Sequence, residues 1–431
     1  MSIYISLMFL MLFDKFFIIK LNRKMKTEKN FNNLEELLIF LMQDQLNDES
    51  SDLIKGIISA QKVKNNNINL AKSLLIKNVS NNIKNISEKY KENILEKLNN
   101  LDFIEFNDTK EEITFKIDNI LNILFYPRYC YYINNKYGHN CLKFFEYLLE
   151  HGYYQENINT FSKNDFASLI RDEIILKINI ENIKNENIIN NNCLESYKIN
   201  FKLLNEIMFK EYIINFYKKY ISMNFQFYDL FKKVVKSNNY IYELKNSEIN
   251  IISKGIIDNF DFDKLLIKSE TDENKIVLNK DIIKYDIFYN SIEKIINLFY
   301  SSKHLRIFKI IELNQNLNLF QISQMACLKY LEVQEIIEDL INKLKIIKKI
   351  KKENNKEDFI YLLNEIDESI INMMKDNIYG IIKNIKFELK DKLKQLQGKI
   401  DQDTVLQYIN KYYSLINTFS EILNAYNFLF N

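Results

Sequence analysis

Apolar residues recur at intervals of three and four along most of this chain, and short alternating runs interrupt that helical rhythm in a few places. From Phe31 to about Asn122 the pattern is helical and ends in ENILEKLNNLDFIEF, the polar turn NDTKEE and ITFKI. A helix, a strand, a polar turn and a second strand in that order predict the closing part of a winged helix. Residues 140 to 151 (NCLKFFEYLLEH) predict an amphipathic helix that Gly152 stops. The run ENIKNENIINNN at 181 to 192 is polar and low in complexity and reads as a loop. Residues 197 to 221 and 225 to 236 predict two further helices, with strand signals at Ile249 to Ile252 and Ile276 to Leu278 as the expected wing.

The clearest module lies at 303 to 364. KHLRIFKIIEL, LFQISQMACL and YLEVQEIIEDLINKL predict three helices, and KIIKKIKK, ENNKED and FIYLL predict two strands with a polar tip. After it, Ile366, Ile370, Met374, Ile378, Ile381, Ile385, Leu389, Leu393 and Leu396 mark one face of a single long helix. Gly398 offers a stop and Asp401 or Asp403 a cap for a second helix carrying Val405, Tyr408, Tyr412, Ile416, Phe419, Leu423 and Tyr426. The expected fold is therefore mainly α with small β wings: tandem winged-helix domains followed by a C-terminal antiparallel helical hairpin of coiled-coil type.

Composition changes the picture in one respect. With 47% apolar and 27% charged residues the chain is ordinary, but Pro 1, Gly 6 and Trp 0 are far below normal usage. Turns must then be made by Asn and Asp, which blurs domain edges. The expected divisions are a leader or upstream extension at 1 to 30, winged helices at 31–127, 128–195 (reduced), 196–300 and 301–364, and a long-helix hairpin at 365–431. The apolar run before Asp14 is eleven residues, too short to span a bilayer, and Met25 opens the polar sequence that follows.

Charge and candidate chemistry point away from catalysis. A net charge of +2 gives no global pull on nucleic acid. Cys130, Cys141, Cys193 and Cys327 never form a C-x-x-C pair and are expected as buried apolar residues, and His139, His151 and His304 lack a second ligand at zinc-helix spacing. No phosphate loop, metalloprotease or nucleophile-elbow motif occurs, so no cofactor, metal or small-molecule substrate is expected.

The third helix of the last module carries Glu332, Glu335, Glu338 and Asp339 and has no basic residue between Lys329 and Lys343. A DNA major groove would repel it, which predicts a protein-docking helix. Lys343, Lys345, Lys348, Lys349, Lys351 and Lys352 form a basic run at the wing. It suits an acidic protein partner, a DNA backbone, or simply a solvated edge strand guarded by lysines. Tyr126, Pro127, Arg128 and Tyr129 hold the only proline and read either as a packed domain junction or as a base-stacking patch, the junction being the commoner structure.

The segment DNILNILFYPRYCYYINNKYG (118 to 138) resembles the junction of the first two winged helices in the RNA polymerase III winged-helix subunit family, where a leucine-rich strand and helix run into an R-Y-P-R-Y-like motif. Three blocks follow in that family's order: Tyr197, Asn200 and Phe201; Arg306, Ile307 and Phe308; and Phe359, Tyr361, Leu362, Tyr379 and Asn384. The chain departs from it at Ile347, Lys348, Lys349 and Ile350, where the family's last wing opens on an L-Q-E-like segment. The resemblance implies a nuclear, non-catalytic subunit docked on the clamp of the largest polymerase subunit with two smaller heterotrimer subunits, assisting promoter opening and holding initiation factors. Two alternatives stand beside it: a free-standing winged-helix DNA-binding regulator, which needs a basic recognition helix, and a membrane-anchored secretory scaffold, which needs the leader.

Overall fold

The computed structural model describes residues 33–45, 55, 74–75, 88–106, 112–155, 161–179, 195–221, 225–244, 265–269, 272, 275–314, 316–342, 344–351, 359–396 and 402–430. The leader, the 181–192 run, Cys193, the strand signal at 249–252, the ENNKED tip, Lys343, Lys352, Gly398 and Asp401 lie outside them. The described chain is mainly helical with small antiparallel sheets and a long C-terminal helix.

Among the described residues, four sheets of three strands each share one plan, in which the strand last in sequence lies in the middle. β1 (Leu74–Leu75) and β2 (Ile104–Phe106) flank β3 (Glu112–Phe115), so Ile113 pairs with both Leu74 and Phe106. β4 (Tyr154–Gln155) and β5 (Ile175–Asn179) flank β6 (Glu195–Ile199), where Tyr197 pairs with Tyr154 and Lys177. β7 (Ile241–Glu243) and β8 (Leu266–Lys268) flank β9 (Lys275–Leu278) through Val277. β10 (Leu317–Asn318) and β11 (Ile347–Lys351) flank β12 (Phe359–Leu363) through Tyr361. A lone hairpin is marginal in water, so each depends on its third strand and on the helices that cover it.

The chain divides into two compact units, one formed by 1–207 with 379–420 and the other by 208–378 with 421–431. In the first, α1 (Asn33–Gln45) has six consecutive residues, Leu37 to Met42, out of solvent. Six consecutive residues cover every direction around a helix, so this middle stretch is a core element. α13 (Glu368–Leu396) lies against it: Lys383 pairs with Glu36, Lys386 sits 5.3 Å over the Phe40 ring, and a Cβ on Gly380 would come within 3.0 Å of the Asn33 side chain. α2 (Glu88–Asn100) leads into β2, and α3 (Ile117–Leu121), a 3-10 turn at Asn122–Phe125 and α4 (Tyr126–Tyr137) run on without a break. α5 (His139–His151) and α6 (Lys163–Arg171) enclose an aromatic core in which Phe144 stacks on Phe166 at 4.1 Å beside Tyr154 and Tyr197. α14 (Gln402–Phe430) returns along α13, Tyr412 donating to the Glu388 carboxylate at 3.2 Å, the register of an antiparallel hairpin.

In the second unit, α7 (Phe201–Ile221), α8 (Phe225–Lys236) and α9 (Lys280–Phe299) surround one cluster with β7 to β9. The last turns of α14 enter it: Ile422, Leu423, Ala425 and Tyr426 are fully buried, Phe428 stacks on Phe209 at 4.9 Å, and Tyr426 shares a buried hydrogen bond with Ser291 at 2.7 Å. α10 (Ser302–Leu313), α11 (Leu319–Ala326) and α12 (Tyr330–Asn342) pack on one another and on β10 to β12.

Three expectations are corrected. Residues 197 to 199 are strand rather than the start of a helix, because Tyr197 and Ile199 alternate inward opposite β5, and Asn200 then caps α7 by accepting from the Leu203 N–H. The leucine-rich approach to Tyr126 is helical throughout and holds no strand. Cys327 is exposed, ending α11 in a left-handed conformation, whereas Cys130 and Cys141 are buried; burial pushes the Cys130 thiol up.

This packing has two testable consequences. Gly152 caps α5 with φ +85, and a Cβ there would lie 1.8 Å from the Asn100 carbonyl oxygen, whereas Gly138 at φ +89 has open space. Both positions carry backbone strain for Ala, and Gly152 adds the clash, so Gly152→Ala is expected to cost about 4 kcal/mol or more and Gly138→Ala about 1 to 3 kcal/mol in denaturant unfolding. Burial lifts the Asp286 carboxyl above its usual range, against the opposing hydrogen bond that Tyr217 donates at 2.6 Å. A raised acid pKa means that the folded state loses stability as pH climbs from about 4 through the folded value. Asp286→Asn, which still accepts from Tyr217, is expected to raise Tm at pH 7, with the gain vanishing below about pH 4.

Candidate protein-docking surface

Pro127 occupies the first turn of α4, where its missing N–H costs nothing. From there the helix places Tyr129 wholly out of solvent, against the start of α7. Its hydroxyl lies 3.4 Å from the Asn122 side-chain oxygen and donates to Asn205 Oδ1, and Asn205 Nδ2 donates to Asn122 Oδ1 at 2.9 Å. Burial pushes the Tyr129 phenol well up, so it stays a neutral donor. Tyr126 stacks on Phe201 with ring planes 6° apart and centroids 6.0 Å apart. Arg128 is half-buried beside them. These contacts leave Tyr129 no ring face for a base, while Tyr131 is half exposed on the far side of the helix.

In the last module the four acidic residues of α12 take different positions. Glu332 is paired with Lys303 of α10, and Asp339 lies 3.7 Å from His304 Nε2. Glu338 accepts from Gln334 at 3.0 Å, and Glu335 is exposed with no ionic partner among the described residues. The helix buries Val333, Ile336, Ile337 and Leu340 and turns Leu331, Gln334, Glu335 and Glu338 outward, at the i, i+3, i+4 and i+7 spacing of one helical face.

The β11–β12 hairpin separates the lysines that sequence alone runs together. In β11 the side chains alternate, so Lys349 and Lys351 share the face of Ile347 and Lys348 lies on the other. Lys348 pairs with Glu365 at 3.2 Å, and Lys349 stands 4.0 Å over the Phe359 ring. Lys345 precedes the strand with φ +52 and is exposed, as is Lys351. The described lysines thus form two small groups.

Sequence reasoning missed the apolar surface beside these charges. Leu331 is 71% exposed, Phe320 59%, Tyr330 49% and Met325 48%. Helical phase is the signal that finds them: Phe320 and Met325 fall off the Leu319, Ile322 and Ala326 face of α11, and Leu331 falls off the buried face of α12. Among the described residues no cluster of three His, Cys, Asp or Glu lies close enough to hold a metal ion, and no helix is long and apolar enough to cross a membrane.

No protein-family model matches the chain. Over 427 residues it is 28% identical to reticulocyte-binding protein homolog 1 of Plasmodium falciparum (isolate 3D7), a stretch covering 95% of this chain and 12% of that protein. The chain therefore spans a small fraction of that relative's length, and a likeness of this size assigns it to no family.

The hydrogen-bonded junction yields a further prediction. Tyr129→Phe removes the hydroxyl that donates to Asn205 Oδ1 while keeping the ring, and is expected to lower unfolding free energy by about 1 to 3 kcal/mol with native helicity retained by circular dichroism.

Proposed function

We propose that this chain is an array of four winged helices closed by a helical hairpin, and that it serves as a non-catalytic subunit of DNA-directed RNA polymerase III, at the centre of the initiation-specific heterotrimer. The observation that carries the reading is the fourfold recurrence, among the described residues, of one sheet plan, first strand, third strand, second strand; the motif blocks at 118–138, 197–201, 306–308 and 358–384 lie along the same stretch of chain. In the last module every piece of the winged-helix order is described: α10, β10, α11, α12, β11 and β12 follow one another as helix, strand, helix, helix, strand, strand. The proposed divisions are 31–127, 128–195, 196–300, 301–364 and 365–431.

On this reading the protein acts in the nucleus by binding and positioning, holding two smaller subunits and initiation factors on the clamp and assisting promoter opening. The outward carboxylates of α12 favour protein over DNA as the partner of the last module, since Glu335 and Glu338 would face phosphates in a groove. A free-standing DNA-binding regulator is the competing reading, and a DNA backbone contact at Lys345 or Lys351 is compatible with either.

The test is purification of the endogenous protein, tagged through a flexible linker after Asn431, with mass spectrometry of what accompanies it. Recovery of the large RNA polymerase III subunits with two small partners is expected. Recovery of the chain alone on chromatin, or with secretory proteins, overturns the reading.

A further inference from the structure

A helix-turn-helix normally turns its second helix outward to meet DNA, and the residues at that position state what the surface can accept. Here α11 and α12 are joined by three residues, Cys327, Leu328 and Lys329. Flanking this turn stand three large side chains about half exposed or more, Met325, Tyr330 and Leu331. Large aromatic and thioether side chains held in solvent on a rigid element are costly unless something covers them. Leu331 begins a row that continues into Glu335 and Glu338, so an apolar end grades into an acidic one along a single helix face.

We infer that this face binds an amphipathic helical segment of a protein partner whose apolar stripe is interleaved with Lys or Arg. The apolar stripe covers Met325, Tyr330 and Leu331, and the cations meet Glu335 and Glu338, which carry no ion pair of their own among the described residues. Duplex DNA is excluded by the same two carboxylates, which would lie against phosphate oxygens. A second copy offers a poorer match through its β11 lysines, since Lys348 is engaged by Glu365 and Lys349 by Phe359, which leaves Lys351 alone in that strand to meet two carboxylates. The inference rests on the last module being a protein-docking unit and not on which assembly it joins.

The full chain is titrated, by fluorescence anisotropy, with a labelled helical peptide bearing a Leu stripe and Lys elsewhere, alongside its Leu/Glu counterpart and a DNA duplex. Binding of the Leu/Lys peptide is expected to weaken about ten-fold or more in Leu331→Asp/Glu335→Lys and to stay unchanged in Lys348→Glu/Lys349→Glu. Both pairs lie on the surface, and matching circular dichroism and Tm confirm that each variant folds. Equal binding to the first variant and the wild type, equal binding of the Leu/Glu peptide, or displacement by duplex DNA overturns the inference. A photo-crosslinking residue at Gln334 in cells then captures the natural occupant. A basic amphipathic segment is expected; capture of DNA or of a second copy overturns the inference. Capture of such a segment from a protein outside the polymerase keeps it and removes the polymerase reading.

Discussion

Everything described in this protein that is not helix hangs on four central strands. In each sheet the middle strand is the last of the three to be made, so Ile113, Tyr197, Val277 and Tyr361 each hold two partners that precede them in the chain. The first strand of a set is two or three residues long and has no stability of its own. It is fixed only when the third strand returns beside it, in three of the sheets after at least one described helix: α2 before β3, α6 before β6, and α11 and α12 before β12. In the last module the return lays α11 on the Tyr361 strand and α12 on β11, and α10, which precedes the sheet, also packs on the Tyr361 strand. The same logic explains why Tyr197 is strand: its place between Tyr154 and Lys177 outweighs the helical rhythm of the residues that follow it.

Two buried polar clusters join elements distant in sequence. Asn122, Tyr129 and Asn205 satisfy one another between the turn before α4 and the start of α7, and Ser291 and Tyr426 do so between α9 and the end of α14. A hydrogen bond in such a place adds direction to contacts that apolar packing alone leaves free to slide. The ends of the described chain also carry core residues: Leu37 to Met42 of α1 are buried in one unit, and the final turns of α14 are buried in the other. Helices of that kind leave the outward faces of the modules as the surface available to partners, and the last module presents one that is apolar and acidic at once.

Much of this was legible from residue spacing. The 3-and-4 rhythm marks α5, α8, α10, α11, α12, α13 and α14 to within a few residues, because each has one apolar face and a polar remainder. FIYLL and ITFKI are readable as strands because β-branched and aromatic residues alternate between polar turns. The short edge strands β1, β4, β7 and β10 carry no such signal, since two or three residues cannot show a period. Scarce Gly and Pro removed the usual punctuation, leaving Asn122 and Asn200, which look like background Asn, to take structural roles. Of the candidate site, the acidic character of α12 was evident, whereas the exposure of Phe320 on α11 and Leu331 on α12 depends on how each helix is turned against its neighbours.

By itself the sequence determined the helical class, the three helices and closing hairpin of the module at 303 to 364, the long paired helices and the lack of basic residues between Lys329 and Lys343, all of which depend on local period and residue type. Tertiary structure alone decided which strand lies in the middle of each sheet, that the β11 lysines divide between two faces, and that of the α12 carboxylates Glu332 pairs with Lys303 and Asp339 lies near His304 while Glu335 and Glu338 remain outward. Those outcomes depend on pairings between residues far apart in the chain, and a one-residue change of register or a quarter turn of a helix reverses them without altering the local pattern.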